Sequence, residues 1–414
     1  MTFKLATFSD LHIGYASTRH VDSQHINLRV RDGYRATSEA ITQMIEQEVD
    51  AVLVPGDIFH VPEPKIRDII FIQNQLRRLA EVGIPVYLLS GNHDALDLAS
   101  EIAASRVLDD PLRKIHSEYA PYVTHEIADG ILVHMLSHHL FSEQEETMKK
   151  VISEKGAINI LSAHGSTIDP LTKMKLHTEQ SPREIVIPDK IIKDNDWDYV
   201  MLGHIHERGW VGSKDKKNDT AKRKIFYNGS LIRRGFSDKE VPLGKGWTMW
   251  EIGSDSSFTP TFFEVTQRAQ TDFKSIDAQN LSSADITELI IKNLRNSHAY
   301  GEGFLEESAP ILRQQVYNLN PAKHQGLDWK AIEANSKHAF QWSLKTMVDA
   351  PETAIETESG VTSTTESGDI MRTYDDWVNK SEALTRVMKE HKPLVVEQGR
   401  KFIRSGQEGV LDES

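Results

Sequence analysis

The chain of 414 residues reads as an α/β protein whose strands fall into two sheets. Three observations predict this. Short apolar runs rich in Val, Ile and Leu (KLATF, DAVLV, IPVYLLS, INILSA and DYVMLG) recur at strand length through residues 1–267. Stretches with other periodicity separate them, which is the alternation of an α/β pattern. The region then closes on IFYNGSLIRRGF, GWTMWEI and FTPTFFEV, a terminal set of strands that supplies a second sheet.

Taken in order, the first strand begins within a few residues of Met1. Ile66, Ile69, Ile72, Leu76 and Leu79 mark a helical stripe expected to pack on a sheet, and Phe71 falls on the opposite side, either exposed or buried against another molecule. A smaller α+β unit is expected over 268–350. There SSADITELIIKNL opens with a Ser282 to Asp285 capping pattern and places Ile286, Leu289, Ile290 and Leu294 on one helical face. APILRQQVYNL and HAFQWSLKTM read as strands, with DWKAIEANS as a helix between them. The unit carries no motif of its own, so its expected role is positional: a cap shaping or covering a groove.

Residues 351–372, rich in Thr, Ser and Glu, cannot bury enough surface to offset chain entropy and are expected to form a disordered linker. Residues 373–414 turn helical again. Thr373 to Asp376 is a capping pattern, Trp377, Leu384 and Met388 form a stripe, and after Pro393 the pairs Val395 with Phe402 and Val396 with Ile403 suggest a second helix. Two short helices on a tether are marginal alone, so their stripes need a partner, either the body of the chain or another protein.

Composition narrows the functional classes. The length exceeds what one hydrophobic core serves and suggests two or three domains. The chain has no cysteine, which excludes disulfides, thiolate catalysis and zinc knuckles, and fits a reducing cytoplasm. Its N-terminus leaves no room for a removable targeting segment, and no apolar stretch approaches the ~18 residues of a membrane span. The expectation is a soluble cytoplasmic protein away from membranes. A net charge of −13 excludes a uniformly basic nucleic-acid coat. The segment SKDKKNDTAKRK is locally basic, either a solvated loop or a track for a phosphate backbone.

Each apolar run is followed by residues that bind metals: Asp10 and His12 in FSDLHIG, Asp57 in PGDIF, Asn92 in SGNHD, His164 in SAHG, and His204 and His206 in GHIH. Donors at strand ends converge on the carboxyl edge of a buried sheet, so these distant segments can focus on one small pocket. Carboxylate oxygen and imidazole nitrogen suit borderline ions such as Mn, Fe or Zn. Two cations roughly 3.5–4 Å apart need a bridging anion, and a lone Asp after a strand, Asp57, is the natural bridge. In an extended segment Asp10 and His12 would point to one side and grip one ion. His204 and His206 share that spacing and could split between two ions. Asn92 offers a neutral oxygen, which keeps the charge low enough to admit a phosphate. His116, His125, His134, His138 and His139 have no ligand partner at suitable spacing and are read as surface or packing residues.

This order of motifs resembles the calcineurin-like metallophosphoesterase superfamily, which runs D-x-H, G-D, G-N-H-[DE], a lone His, then G-H-x-H. The resemblance implies a two-sheet sandwich flanked by helices. It also implies one ion on Asp10, His12, Asp57 and His206, and another on Asp57, Asn92, His164 and His204. The G-D-x-x-D-R-G of serine/threonine phosphatases is absent, and GDIFH stands in its place. With SDLHIG, SGNHD, SAHG, GHIH and YNGS, it resembles the nuclease subunit of SbcCD-type double-strand-break repair complexes. Asn228 departs from the Pro or Ser often found before G-S.

The resemblance implies a homodimeric, Mn2+-dependent DNA nuclease, cutting ends 3′ to 5′ and single strands or hairpins. Its terminal helices would dock on an SMC-like, SbcC-like coiled-coil ATPase in the cytoplasm, associated with the nucleoid. His93 is expected to protonate the leaving oxygen, and His60 to contact the phosphate or assist His93. The rival readings are a small-molecule or cyclic-nucleotide phosphodiesterase and a non-catalytic scaffold.

Overall fold

The computed structural model describes residues 2–18, 20–94, 103–119, 122–137, 149–167, 186–193, 195–211, 224–236, 244–297 and 309–347. The elements in chain order are β1 (Phe3–Thr7), α1 (Leu28–Glu46), β2 (Ala51–Val54), α2 (Ile66–Glu81), β3 (Val86–Leu89), β4 (Ile115–Glu118), β5 (Tyr122–Ala128), β6 (Ile131–Leu136), β7 (Ile158–His164), α3 (Asp189–Lys193), β8 (Tyr199–Gly203), β9 (Gly209–Trp210), β10 (Ile225–Tyr227), β11 (Gly246–Ile252) and β12 (Phe258–Glu264). They are followed by β13 (Gln270–Asp277), α4 (Ser283–Asn296), β14 (Ile311–Tyr317), α5 (Pro321–Gln325), α6 (Trp329–Ser336) and β15 (Gln341–Met347). The chain divides into two units, Met1–Ala350 and Pro351–Ser414, and the expected linker and terminal helices lie outside the described residues. So do His138, His139 and most of the basic segment, residues 212–223.

Among the described residues, two six-stranded sheets run in the orders β12-β11-β1-β2-β3-β4 and β5-β6-β7-β8-β10-β9. The runs between Ala51 and Val54 and between Val86 and Leu89 are buried at every position, as parallel strands covered on both faces must be. Alternation then divides them. Val52 and Val54 face a core shared with Ile41 and Met44 of α1 and Ile72, Leu76 and Leu79 of α2. Ala51 and Leu53 face the other way, into a layer with Val133, Met135, Ile160, Met201 and Phe226 of the second sheet. A third core lies beyond that sheet, where Leu161, Ala163 and Val200 meet Ile187, Ile191 and Trp197. The layers are therefore helix, sheet, sheet, helix. Truncating Leu53, fully buried between the sheets, to alanine would cost about 2–5 kcal/mol.

The three closing runs do not stay together. IFY joins the second sheet beside β8, whereas GWTMWEI returns to pair antiparallel with β1. A separate three-stranded sheet, β13-β14-β15, packs its own core of Ile286, Ile290, Leu294, Leu312 and Val316. It is joined to α1 by Arg268, whose Nε and Nη2 donate to the two carboxylate oxygens of Asp32 at 2.8 and 2.9 Å.

Three expectations about side chains change. Ile66 is 76% exposed rather than part of the α2 stripe. Six residues separate it from Ile72, which turns it about 120° away, and the buried position one turn before Ile72 is Asp68, which accepts from the Tyr34 hydroxyl. Phe71 is covered from within the chain, its ring stacked on Tyr34 at 3.9 Å and 7°. Ile286, Ile290 and Leu294 form the buried row of α4, with Leu289 at its rim, 37% exposed.

Candidate metal centre

The centre forms where β1, β2, β3, β7 and β8 end. His164 is the last residue of β7, and the other donors sit in the short segments just beyond their strands. Asp10, His12, Asp57, His164 and His204 are all buried, with Asn92 beside them. Four of these residues hold backbone angles that side chains resist: φ is 52° at Asp10, 44° at His12, 53° at Asp57 and 93° at His204. Each such position costs of order 1–3 kcal/mol, and such strain clusters at working sites. The Asp10 to His12 segment is thus not extended as its spacing suggested. Left-handed turns, rather than a pleat, bring both side chains to the centre.

The donors separate into two groups around one carboxylate. Asp57 Oδ2 lies 3.5 Å from His12 Nε2, and Asp57 Oδ1 lies 3.3 Å from His164 Nε2. On the first side, His12 Nε2 and His206 Nε2 approach to 3.1 Å, and His206 Nε2 is 3.8 Å from Asp10 Oδ1. On the second, Asn92 Oδ1 lies 2.9 Å from His164 Nε2 and 3.1 Å from His204 Nδ1. His204 and His206 therefore fall on different sides.

The protonation logic fits a cation. A carbonyl only accepts, so His164 Nδ1, 2.8 Å from the Pro55 oxygen, carries the proton in the neutral ring. Its Nε2 lone pair then faces two oxygen acceptors, an arrangement that calls for positive charge between them. Without an ion that charge is a proton: burial works against it, but Asp57 and Asp10 raise the His164 pKa to about 9. Burial would likewise push Asp57 up, yet His164 and His12 hold it well below the carboxylate range. Burial raises Asp10 to about 6, partly offset by His164. His12 and His206 are pushed down by burial and then by Arg234, so both rings are neutral lone-pair donors. His12 Nδ1 is buried without a hydrogen-bond partner.

Two glycines make this packing possible. A Cβ on Gly91 would stand 2.2 Å from Asp57 Oδ1, and one on Gly56, at φ +92°, 2.4 Å from His164 Nδ1. His93 sits at the rim, its ring 4.7 Å from that of His12 and 5.4 Å from that of His60 in a stacked pair. Its Nδ1 contacts the His60 carbonyl oxygen at 2.8 Å. Burial, followed by Arg234 and His93, lowers the His60 pKa to about 4, so that ring is neutral.

Two residues escaped the reading of the motifs. Asp94, the last letter of SGNHD, is fully buried and accepts the amides of Ile58, Phe59 and Gly91 at 3.2, 2.7 and 2.8 Å. Burial and the Asp57 charge raise its pKa to about 7 against those three donors. Arg234, in the RR of IFYNGSLIRRGF, brings Nη1 to 3.0 Å from His12 Nε2 and 3.3 Å from His206 Nε2. Its segment is held by Tyr15, whose hydroxyl donates to the Arg234 oxygen at 2.9 Å, and by Gln270 and Arg313 of the smaller sheet, which donate to the Gly235 and Phe236 oxygens. Asn228, where Pro or Ser is more usual, donates from Nδ2 to the Leu202 oxygen at 3.0 Å.

The chain is similar to three proteins named DNA double-strand break repair protein Mre11. That of Methanococcus maripaludis is 26% identical over 306 residues, 70% of each chain. That of Sulfurisphaera tokodaii is 27% identical over 207 residues, 48% of this chain and 50% of the other. That of Haloferax volcanii is 24% identical over 266 residues, 63% and 50%. This chain thus spans about half the length of the latter two. A solved dimetal phosphatase from Danio rerio is 11% identical and overlaps 60% of this chain and 92% of its own, with a TM-score of 0.36. A family model described as calcineurin-like phosphoesterase matches residues 3–210. A match that starts in β1, ends in β9 and takes in all seven converging donors makes this chain a member of the calcineurin-like phosphoesterase family.

Proposed function

We propose that this phosphoesterase is a DNA nuclease of double-strand-break repair, using two divalent ions, with Mn2+ the physiological choice. The observation that carries the reading is the divided Asp57 carboxylate, one oxygen toward each cluster of donors. Asp10, His12, Asp57 and His206 would hold one ion, and Asp57, Asn92, His164 and His204 the other. Each set has two nitrogens and two oxygens, which suits a borderline ion better than oxygen-seeking Mg2+, and the choice of Mn2+ among such ions follows the nuclease family the motifs resemble. The substrate class is supported by the repair proteins the chain resembles.

When bound, such a pair supplies Lewis acidity and a water acidified to near neutral pH. The protein's own residues do the rest. Arg234 draws the scissile phosphate toward the His12 side by charge. His93, with Nδ1 fixed by the His60 carbonyl, gains and gives its mobile proton at Nε2, to the leaving oxygen. His60 acts through that carbonyl and by stacking, as a positioning residue. The smaller α+β sheet caps the centre by holding the Arg234 segment. The chain works as a homodimer, and residues 373–414 bind an SMC-like coiled-coil ATPase.

The test is to incubate the full chain with end-labelled hairpin and single-stranded DNA and with cyclic nucleotides, in Mn2+ and in chelator. Cleavage of DNA alone, abolished by chelator, is expected. Turnover of cyclic nucleotides with intact DNA would overturn the substrate; no hydrolysis of either would overturn the enzyme.

A further inference from the structure

A second cluster of metal-binding side chains lies at the open edge of the sandwich. His116 and Glu118 belong to β4, the last strand of the first sheet, and His125 to β5, the first strand of the second. Ser117 between the first two is buried, its amide donating to Asp109 and its hydroxyl to the Ser105 oxygen. Strand alternation therefore turns His116 and Glu118 to the same, opposite face. His125 Nε2 lies 2.9 Å from Glu118 Oε1, with side chains 19% and 18% exposed. The His116 and His125 rings are 5.0 Å apart. Tyr87, the register partner of His116 on β3, stacks under it at 5.2 Å and 11° and stands 5.0 Å from His125. One ligand atom from each of His116, Glu118 and His125 falls within 4.8 Å of the others.

We propose that His116, Glu118 and His125 form a site for a borderline divalent ion of the Zn2+ class, pinning the edge of one sheet to the edge of the other. Two imidazoles and one carboxylate are a donor set that zinc uses with a water in the fourth position. Ligand bonds of about 2.0–2.2 Å place tetrahedral donors roughly 3.4 Å apart, so the contraction required is a small side-chain rotation. Oxygen-seeking Ca2+ and Mg2+ are disfavoured by the two nitrogens. The stacked Tyr87 holds His116 in place beforehand, and half-burial leaves the water access that an open coordination position needs. β4 and β5 follow one another in the chain but belong to different sheets, so an ion here would tie the two sheet edges together. A simple His125–Glu118 ion pair is the competing account, and it leaves His116 without a task. The proposal is independent of the nuclease reading.

The experiment uses the full chain, stripped with chelator and dialysed against Co2+, a spectroscopic stand-in for Zn2+. Metal is counted per chain for the parent, H116N, H125N and E118Q. Expected is one equivalent fewer in each variant, with loss of the tetrahedral visible absorption, while Mn2+-dependent phosphodiester hydrolysis stays within about twofold of the parent. Equal Co2+ content in parent and variants would overturn the site. Should the His variants fail to fold, E118Q, which keeps the side-chain shape, decides the matter together with the parent count.

Discussion

The Asp94 carboxylate accepts the Phe59 amide at 2.7 Å, and this bond fastens the segment after β3 to the segment after β2. The same side chain also takes the amides of Ile58 and Gly91, so one buried acid fixes Asp57 relative to Asn92. Replacing it with alanine leaves three amide donors unmatched at about 1–3 kcal/mol each. For Asp94→Ala, lower thermal stability and about 10–100-fold weaker Mn2+ binding are expected, with Asp94→Asn milder. A Mn2+ titration with unchanged affinity would show that Asp94 only packs.

Asp57 turns one carboxylate oxygen to each group of donors, Oδ2 toward His12 and Oδ1 toward His164. Asp57→Asn should lower phosphodiester hydrolysis more than about 10²-fold and reduce the bound metal. Gly91→Ala should do likewise without removing a donor, since its Cβ would stand 2.2 Å from Asp57 Oδ1. Metal counting alongside hydrolysis checks both; a Gly91→Ala protein with full metal content would contradict the close packing.

His93 is expected to matter for proton delivery and not for metal. His93→Ala should keep both ions and lose about 10²–10⁴-fold in DNA cleavage. With a nitrophenyl phosphodiester, whose leaving group needs no proton, the loss should be far smaller. An equal loss on both substrates, or loss of metal, would make His93 structural.

Acid sensitivity should arise in part at His134, which bonds Asn159 Oδ1 through Nε2 at 2.9 Å and the Tyr122 hydroxyl through Nδ1 at 2.7 Å. Burial lowers its pKa below the ordinary 6.5, against the Asn159 bond and Glu154. On acidification the unfolded chain therefore takes the proton first. The stability His134 contributes is complete above about pH 6.5 and declines as pH falls through that value toward the folded pKa. Melting temperatures from about pH 7.5 to 5.5 should fall more steeply for the parent than for His134→Gln. Parallel curves would remove His134 from this account.

Deleting the residues after Thr373 should leave Mn2+-dependent hydrolysis of single strands intact and abolish co-purification of an ATPase. Unchanged co-purification would move the partner surface elsewhere on the chain.

Much of the centre was readable in the linear order of residues. Asp10, His12, Asp57, Asn92, His164, His204 and His206 follow apolar runs, and strand ends are where a parallel sheet gathers its donors. Asp94 belongs to the same SGNHD motif, but its task is to satisfy backbone amides rather than to bind an ion, and no ligand spacing reveals that. Arg234 stood outside any metal-ligand spacing. His116 and His125 seemed partnerless because each depends on a residue of another strand, Tyr87 and Glu118. Phe71 was misplaced for the same reason: Tyr34, on a different helix, covers it.

By itself the sequence determined what is local: the alternation of strands and helices, the Ser282 to Asp285 capping box of α4, the donor types and their order. Tertiary structure decided which sheet each strand joins, how the other six donors divide about Asp57, and which backbone positions carry left-handed strain. The physical reason is range. Periodicity and capping report on neighbours within a turn or a pleat, whereas His12 and His206 meet across 194 residues, through layers of buried side chains that no short window contains.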